Sequence, residues 1–374
     1  MQIFLDILFL AIGFLLLAKG ADFFVDGASS VARRFKIPQL IIGLTIVAMG
    51  TSMPEAAVSI QAGLSGNADI SIGNVVGSNI LNILIILGVS SLVFPLLMQK
   101  TTQRVEIPIV IGASVVLLGL GFLGKISWWG GIILLLCFIG YLTYLFLRAR
   151  KSKEEEEGAN LSEVKIYISA LLSFVGAIIA VAGQFYKPCD NIYCLLSGAF
   201  LFVGFLAYTV YLTVKSKRGA ISEITELPIW KSVVFIVFGM AMIIFGSEFA
   251  VSSATSLAKQ AGLSDKFIGL TIVALGTSLP ELFTSVAAAI KKNSDIAIGN
   301  IVGSNIFNIL FILGITSLIV PINFEKSFLI DTAISLACAI LILILSFNKE
   351  RKLHRWAGAI MILCYGGYFA YLLA

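Results

Sequence analysis

Long apolar runs occupy almost the whole chain, and they fall into two sets of five separated by a charged stretch. The runs lie near residues 3–32, 38–63, 68–97, 104–124 and 126–149, and again near 229–259, 264–289, 294–322, 327–347 and 353–373. A run of about 20 apolar residues is long enough to cross a bilayer of roughly 30 Å as a helix. The sequence therefore predicts an all-α polytopic membrane protein built from two five-helix repeats.

The composition and the charge distribution agree with this class. Hydrophobic residues make up 59% of the chain and charged residues only 13%, whereas about 25% of the residues in a typical soluble domain are charged. The net charge is +5, but nearly all Lys and Arg lie in short connections between apolar runs, where they set orientation. We therefore expect a multi-pass protein of the cell membrane, surrounded by the lipid bilayer and without a nucleic-acid partner.

The stretch between the two sets predicts an insertion. It opens with the charged linker RARKSKEEEEGANLSE and continues with two further apolar runs near 164–183 and 192–214. These runs indicate a central two-helix hairpin, which brings the total to about 12 transmembrane helices. The predicted organisation is a first repeat over residues 1–149, a charged linker with the extra hairpin over 150–228, and a second repeat over 229–374.

The positions of the basic residues predict the orientation of the repeats. If the chain alternates from an external N-terminus, about 20 of its 26 Lys and Arg fall in internal loops and only 5 in external ones, as the positive-inside rule requires. Both termini are then external. An odd number of spans separates corresponding elements, so the two repeats enter the membrane from opposite sides. Such inverted-topology repeats are common in secondary transporters, whose substrate site lies near the bilayer midplane at the repeat interface.

A duplicated segment lies within the second and third runs of each set. Residues 43–88 and 269–314 are identical at about 30 of 46 positions, including every polar residue of the motifs GTSxPE and GNxxGSNxxN. The two halves therefore keep the same polar chemistry at the same places in an otherwise apolar environment.

The GTSxPE motif places a carboxylate beside a predicted helix break. Pro54 cannot donate a backbone hydrogen bond and its ring crowds the carbonyl four residues earlier, so the helix should break near Gly50 and Thr51 and free backbone oxygens at membrane depth. Helical spacing puts the oxygen-bearing residues on one face: Ala48, Thr51, Ser52 and Glu55. The second copy supplies Ala274, Thr277, Ser278 and Glu281, with Pro280 breaking the helix near Gly276.

The GNxxGSNxxN motif predicts a polar stripe on a closely packed helix. Its polar side chains recur at every fourth residue, and glycines in small-xxx-small spacing lie beside them, which allows close helix approach. The stripe is Asn74, Ser78 and Asn82 with Gly73 and Gly77, and its copy is Asn300, Ser304 and Asn308 with Gly299 and Gly303.

Opposed across a pseudo-two-fold axis, these segments would line a central cavity with oxygen atoms. Ca²⁺ takes roughly 6 to 8 oxygen ligands, whereas thiols and imidazoles suit softer metals, and no His or Cys lies near the motifs. One Ca²⁺ would neutralise Glu55 and Glu281. Its departure would leave two buried carboxylates, each costing several kcal/mol, so Na⁺ or protons should replace it. The alternative is that these polar residues only hold helices together.

The paired motifs GTSMPE and GTSLPE, each followed by GNxxGSNxxN, resemble the alpha-repeats of the cation/Ca²⁺ exchanger superfamily, most closely those of its prokaryotic sodium/calcium exchangers. The resemblance implies Na⁺/Ca²⁺ countertransport by alternating access, without enzymatic activity or a cofactor. It implies that Ca²⁺ binds Glu55, Glu281 and the carbonyls of Thr51 and Thr277, with Asn82 and Asn308 lining the central cavity. It assigns Na⁺ to Ala48, Ser52, Glu55, Ser78, Ala274, Thr277, Ser278, Glu281 and Ser304.

Other interpretations stay open at this point. A Ca²⁺/H⁺ antiporter and, less favoured, a cation channel would use the same carboxylates. No GxxxxGK[ST] loop is present, so we expect no nucleotide as a partner. Lys19 and Asp22 are spaced to form an ion pair on the first helix, and Cys189 and Cys194 could form a disulfide in the loop of the extra hairpin. The oligomeric state and the role of the extra helices stay open as well.

Overall fold

The computed structural model describes residues 2–65, 69–154, 227–260 and 274–373, and almost all of them are helical. The predicted hairpin over 164–214, with Cys189 and Cys194, lies outside the described residues.

The first repeat opens with a long helix, and its second span is interrupted. Its elements are α1 (Gln2–Arg34), α2 (Gln39–Ile42), a π-helical turn (Gly43–Val47), α3 (Ala48–Thr51), α4 (Met53–Leu64), α5 (Asp69–Leu81), a π-helical segment (Asn82–Leu87), α6 (Gly88–Val93), strand β1 (Leu96–Leu97), a π-helical turn (Thr102–Glu106), α7 (Ile107–Phe122), strand β2 (Lys125–Ile126) and α8 (Trp128–Glu154). The segments from α5 to α6 form one continuous span over Ile70–Val93.

Among the described residues, the second repeat has its long helix, broken span, continuous central span and two outer helices in the same order as the first. They are α9 (Ile229–Gln260), α10 (Ala274–Thr277), α11 (Leu279–Ile290), α12 (Ser294–Ile306), a π-helical segment (Phe307–Ile312), α13 (Leu313–Ile319), strand β3 (Ile322–Asn323), α14 (Lys326–Ser346), strand β4 (Lys352–Leu353) and α15 (Arg355–Leu373). The span from α12 to α13 is continuous and lies at the centre of the molecule, where Ile296, Ile301 and Ile306 have no exposed surface.

The helices have the length and the surface of membrane spans. Among the described residues, seven helices are long and apolar enough to cross a bilayer, and the bent pair Gln39–Thr51 and Met53–Leu64 makes eight if it counts as one span. Large apolar side chains are exposed on them, such as Phe4 at 68% and Leu363 at 75%. The predicted class, a helical multi-pass membrane protein, is confirmed, while the total of about 12 spans and the external termini stay predictions.

Helices α1 and α9 pack against each other along a seam of small residues. A Cβ on Gly20 would lie 2.8 Å from the carbonyl oxygen of Gly239, and one on Gly239 would lie 2.7 Å from that of Gly20. The seam recurs every seven residues, with Gly13, Gly20 and Gly27 on α1 facing Gly246, Gly239 and Ser232 on α9. Because small residues allow backbones to approach closely, the two longest helices form one tightly packed pair.

Two short strand pairs join loops of opposite repeats. Strand β1 pairs antiparallel with β4, with Leu96 opposite Leu353, and β2 pairs antiparallel with β3, with Ile126 opposite Ile322. The strands β1 and β3 follow the third span of their repeats, and β2 and β4 follow the fourth. The loop after the third span of each repeat therefore pairs with the loop after the fourth span of the other repeat. The repeats are thereby tied together at two separate points.

Charged side chains outside the duplicated motifs also join elements. Arg148 on α8 pairs with the buried Glu106, which accepts a further hydrogen bond of 2.9 Å from Tyr144. Lys291, in the turn after α11, lies 3.4 Å from the carboxylate of Asp22 and 2.8 Å from that of Asp26 on α1. The predicted pairing of Asp22 with Lys19 is therefore wrong: the α11–α12 turn passes beside the end of α1 and brings Lys291 to the Asp22 carboxylate.

Candidate cation site

The second span of each repeat breaks at a serine. Helix α3 ends at Thr51 and α4 begins at Met53, and Ser52 between them has φ −83° and ψ 12°. Ser278 holds the same position between α10 and α11, with φ −93° and ψ 5°. Each following proline lies in the first turn of the next helix, where its missing N–H costs least. The break predicted near Gly50 and Thr51 thus occurs immediately after them, and the two arms of the first span meet at 47°.

The predicted break residues Gly50 and Gly276 serve a different purpose, which is close packing against α9. A Cβ on Gly50 would lie 2.7 Å from the terminal methyl carbon of Met240. A Cβ on Gly276 would collide with the side chain of Val251. The glycines therefore let the broken spans lie directly against the α1–α9 pair.

The two glutamates are buried at the interface between the repeats, and each is held by a serine of the other repeat. Glu55 and Glu281 have no exposed surface. Ser52 Oγ donates to Glu281 Oε1 at 2.7 Å, and Ser278 Oγ donates to Glu55 Oε1 at 3.0 Å. The predicted constellation is therefore brought together, and it is reciprocal: neither repeat completes the surroundings of its own carboxylate.

The serines of the GNxxGSNxxN motif join the same cluster. Ser304 Oγ lies 3.4 Å from Glu281 Oε1 and 3.3 Å from the carbonyl oxygen of Ala48. Ser278 Oγ lies 3.3 Å from Ser78 Oγ. Hydroxyl, carbonyl and carboxylate oxygens from both repeats thus converge in one buried region.

Two asparagines brace the helices that carry the glutamates. Asn74 Nδ2 donates to the carbonyl oxygen of Glu55 at 3.1 Å and to Ser59 Oγ at 2.9 Å. Asn300 Nδ2 makes the equivalent bonds to the carbonyl oxygen of Glu281 and to Ser285 Oγ, at 3.4 and 2.9 Å. Sequence reasoning missed the two serines, although they are identical in both copies. That identity was the available signal.

Thr51, Thr277 and Ala274, which also belong to the predicted ligand set, differ from one another in their contacts. Thr51 Oγ1 donates to Asn300 Oδ1 at 3.0 Å, so its hydroxyl ties the break to α12 of the other repeat. Thr277 ends α10 and is half-buried. Of Ala274 the structure describes the backbone, which opens α10.

A second polar cluster lies where the spans containing α5 and α12 cross. Asn79 Nδ2 donates to the carbonyl oxygen of Asn305 at 3.2 Å, and Asn305 Nδ2 donates to that of Asn79 at 3.4 Å. Asn82 Nδ2 donates to Asn305 Oδ1, and Asn308 Nδ2 to Asn79 Oδ1, each at 3.1 Å. Sequence reasoning singled out Asn82 and Asn308 but not their two partners, which the GNxxGSNxxN motif also repeats.

Four buried oxygen atoms of this region receive no hydrogen bond from any described residue. They are Glu55 Oε2, Glu281 Oε2, Asn82 Oδ1 and Asn308 Oδ1. Buried polar atoms are normally satisfied, and oxygens of this kind are the ligands that hard cations prefer. In the described part of the chain no three His, Cys, Asp or Glu residues cluster. The arrangement therefore offers two negative charges among neutral oxygens, which suits exchangeable Na⁺ or Ca²⁺.

Comparisons with known proteins agree with this chemistry. The family model described as "Sodium/calcium exchanger protein" matches residues 5–147 and 231–374. The sodium/calcium exchanger MaX1 of Methanosarcina acetivorans is 31% identical over 372 residues, covering 99% of both chains. The inner membrane protein YrbG of Escherichia coli is 32% identical over 97% of this chain and 94% of its own. A structure of the sodium-calcium exchanger NCX_Mj, soaked with Na⁺ and Sr²⁺, matches 98% of both chains with 27% identity and a TM-score of 0.71.

Proposed function

Because this chain belongs to the sodium/calcium exchanger family, we propose that it is a Na⁺/Ca²⁺ antiporter that works by alternating access through the site between its two repeats. Members of this family are membrane transporters and not enzymes. The substrates on this proposal are the two cations themselves, and an ion gradient supplies the driving force.

The observation that carries the proposal is the reciprocal pair of buried carboxylates. Glu55 and Glu281 each have one oxygen held by a serine of the other repeat and one oxygen that receives no hydrogen bond from the described part of the chain. One Ca²⁺ neutralises both charges. Burying uncompensated carboxylates costs several kcal/mol each, so Ca²⁺ leaves readily only when other cations take its place. This coupling of departure to replacement is the physical basis of exchange.

The proposed ligands are divided between the two ions. For Ca²⁺ they are Glu55 and Glu281 with the carbonyl oxygens of Thr51 and Thr277. For Na⁺ they are Ala48, Ser52, Glu55, Ser78, Ala274, Thr277, Ser278, Glu281 and Ser304, with Asn82 and Asn308 lining the central cavity. The contacts of Ser304 with Glu281 and with the Ala48 carbonyl support this grouping, because they gather the members around each carboxylate.

The proposal includes two repeats of inverted topology with external termini. Strand pairing supports it: β1 and β4 lie in loops that the basic residues assign to the internal face, and β2 and β3 lie in loops assigned to the external face. Each strand pair thus joins loops expected on the same side of the membrane.

Flux measurements in proteoliposomes test the function. Purified protein is reconstituted in vesicles loaded with Na⁺ and diluted into Na⁺-free buffer containing ⁴⁵Ca²⁺. We expect Ca²⁺ uptake that requires the outward Na⁺ gradient and saturates with Ca²⁺. Glu55→Gln and Glu281→Gln each remove a charge from the site and should reduce uptake to that of protein-free vesicles. Glu350→Gln, at a side chain that is 60% exposed in a loop, is the matched control and should keep native uptake.

The same assay separates the competing functions. Uptake that ignores Na⁺ but follows a pH gradient would assign the protein to Ca²⁺/H⁺ exchange. Uptake that needs no counter-ion and does not saturate would indicate a channel. Native uptake by both Glu→Gln variants would overturn the assignment of the site.

A further inference from the structure

The four asparagines at the crossing of the two central spans form a closed donor–acceptor network. Asn79, Asn82, Asn305 and Asn308 are at most 1% exposed. Two members, Asn79 and Asn305, direct their NH₂ groups at each other's backbone carbonyl. Their side-chain oxygens face the NH₂ groups of Asn308 and Asn82.

The backbone carbonyls decide which way each amide points. A carbonyl oxygen can only accept, so the end of the Asn305 side chain that faces the Asn79 carbonyl must be NH₂. The opposite end of Asn305 is then an oxygen, and the end of Asn82 that faces it must donate. The same chain of contacts runs from the Asn305 carbonyl through Asn79 to Asn308. The free ends of Asn82 and Asn308 must therefore be oxygens, and these are two of the buried atoms that no described residue hydrogen-bonds.

We propose that Asn79 and Asn305 are positioning residues that lock the amides of Asn82 and Asn308 with their oxygens, and not their NH₂ groups, turned toward the transported cations. The inference rests on the proposed function. Asn82 and Asn308 lie one helical turn beyond Ser78 and Ser304, which contact Ser278 and Glu281. An asparagine that rotated by half a turn would present two N–H donors to a cation and repel it.

A carboxylate in place of Asn82 needs no such lock, because both of its ends are acceptors. It would also set an oxygen against Asn305 Oδ1, where Asn82 now donates. The lock therefore predicts that the effect of changing Asn305 on Ca²⁺ uptake depends on which residue occupies position 82. A purely structural role for Asn305 predicts no such dependence.

The test is a double-variant cycle on full-length protein in proteoliposomes, with the Ca²⁺ concentration for half-maximal Na⁺-driven uptake as the readout. In the native background, Asn305→Ala should raise this concentration roughly tenfold, the effect of losing one charge-assisted ligand contact. In the Asn82→Asp background, Asn305→Ala should either lower this Ca²⁺ concentration or leave it within about twofold of the Asn82→Asp value, which is the usual limit of additive behaviour. Asn323→Ala, at an exposed asparagine outside both clusters, is the matched control.

The symmetry of the molecule provides a second cycle. Asn79→Ala should raise the Ca²⁺ concentration for half-maximal uptake in the native background and leave it nearly unchanged in the Asn308→Asp background. If a variant of one cycle does not fold, the other cycle still decides the question. An equal effect of the Ala variant in both backgrounds would overturn the inference and leave Asn79 and Asn305 as packing residues. Absence of Na⁺-driven uptake by the native protein would instead refute the proposed function, so the two failures are distinguishable.

Discussion

On the proposed function, Glu55 and Glu281 are the residues that bind both cations and protons. Both are fully buried, and each carries one oxygen that accepts no hydrogen bond within the residues that the structure describes. A carboxylate in such surroundings must be neutralised by a cation or by a proton. If these carboxylates bind Ca²⁺ as proposed, protons and Ca²⁺ compete for the same oxygen atoms, and Ca²⁺ uptake depends on the pH of the assay.

Acid pH should inhibit transport by weakening Ca²⁺ binding. Carboxylates hold Ca²⁺ only when ionised, so lowering the pH from about 8 to about 6 should raise the Ca²⁺ concentration for half-maximal Na⁺-driven uptake. The maximal rate should be recovered when Ca²⁺ is raised, since the two ions exclude each other at one site. Initial ⁴⁵Ca²⁺ uptake over a matrix of pH and Ca²⁺ measures this. A half-maximal concentration that stays constant across this range would contradict competition at the glutamates.

The residues that bear charge were predictable, and several of their supporting residues were not. Glu55 and Glu281 stand out in sequence because a carboxylate in an apolar run is expensive and both copies retain it. Ser59 and Asn79, with their copies Ser285 and Asn305, act on partners in other helices. The spacing of residues within one helix cannot predict these contacts, because they depend on how the spans cross.

The packing of the α1–α9 pair leaves little room for a larger side chain along its seam. The three atoms nearest to a Cβ on Gly239 would all belong to the backbone: the carbonyl oxygen of Gly20 and the N and Cα atoms of Phe24. Backbone cannot rotate away as a flexible side chain does. The close packing of α1 against α9 at this point therefore requires a residue without a Cβ atom at position 239.

Gly239→Ala should destabilise the protein, whereas the same change at Gly119 should not. Overpacking of this kind costs about 1–3 kcal/mol. Gly119 lies in α7, is exposed, and has no described atom within 4 Å of its would-be Cβ, so Ala there should be neutral or stabilise by up to about 1 kcal/mol through helix propensity. The temperature midpoint of unfolding in detergent measures both. Equal midpoints for the two variants would show that the seam does not limit stability.

Element boundaries were predictable where hydrophobicity or proline sets them. Hydrophobic runs located the described spans to within a few residues, and Pro54 and Pro280 located the breaks. The shift of the break to Ser52 and Ser278 follows from local backbone geometry, since each proline fits the first turn of the next helix. The π-helical segments Asn82–Leu87 and Phe307–Ile312 had no signal in the hydrophobic pattern, because one extra residue in a turn barely alters the spacing of an apolar run.

At the scale of the whole molecule, each repeat completes the other. Ser52 and Ser278 each donate a hydrogen bond to the glutamate of the other repeat. Asn79 and Asn305 hydrogen-bond across the crossing of the central spans, and each strand pairs with a strand of the other repeat. A site built in this way lies on the axis between two similar halves. The proposed alternating access would require that motion of one half relative to the other changes access to this site.

The proposed topology predicts which loops face outward, and cysteine labelling tests it. In a variant without the five native cysteines, Leu123→Cys and Glu350→Cys place single thiols at exposed positions beside β2 and β4. Lys349, Arg351, Lys352 and Arg355 surround Glu350, whereas only Lys125 lies near Leu123. The positive-inside rule therefore puts the Glu350 loop inside and the Leu123 loop outside. A membrane-impermeant maleimide should label Leu123→Cys in intact cells and Glu350→Cys only after permeabilisation, in variants that retain Na⁺-driven Ca²⁺ uptake. Labelling of both from the same side, or in the reverse order, would refute the orientation.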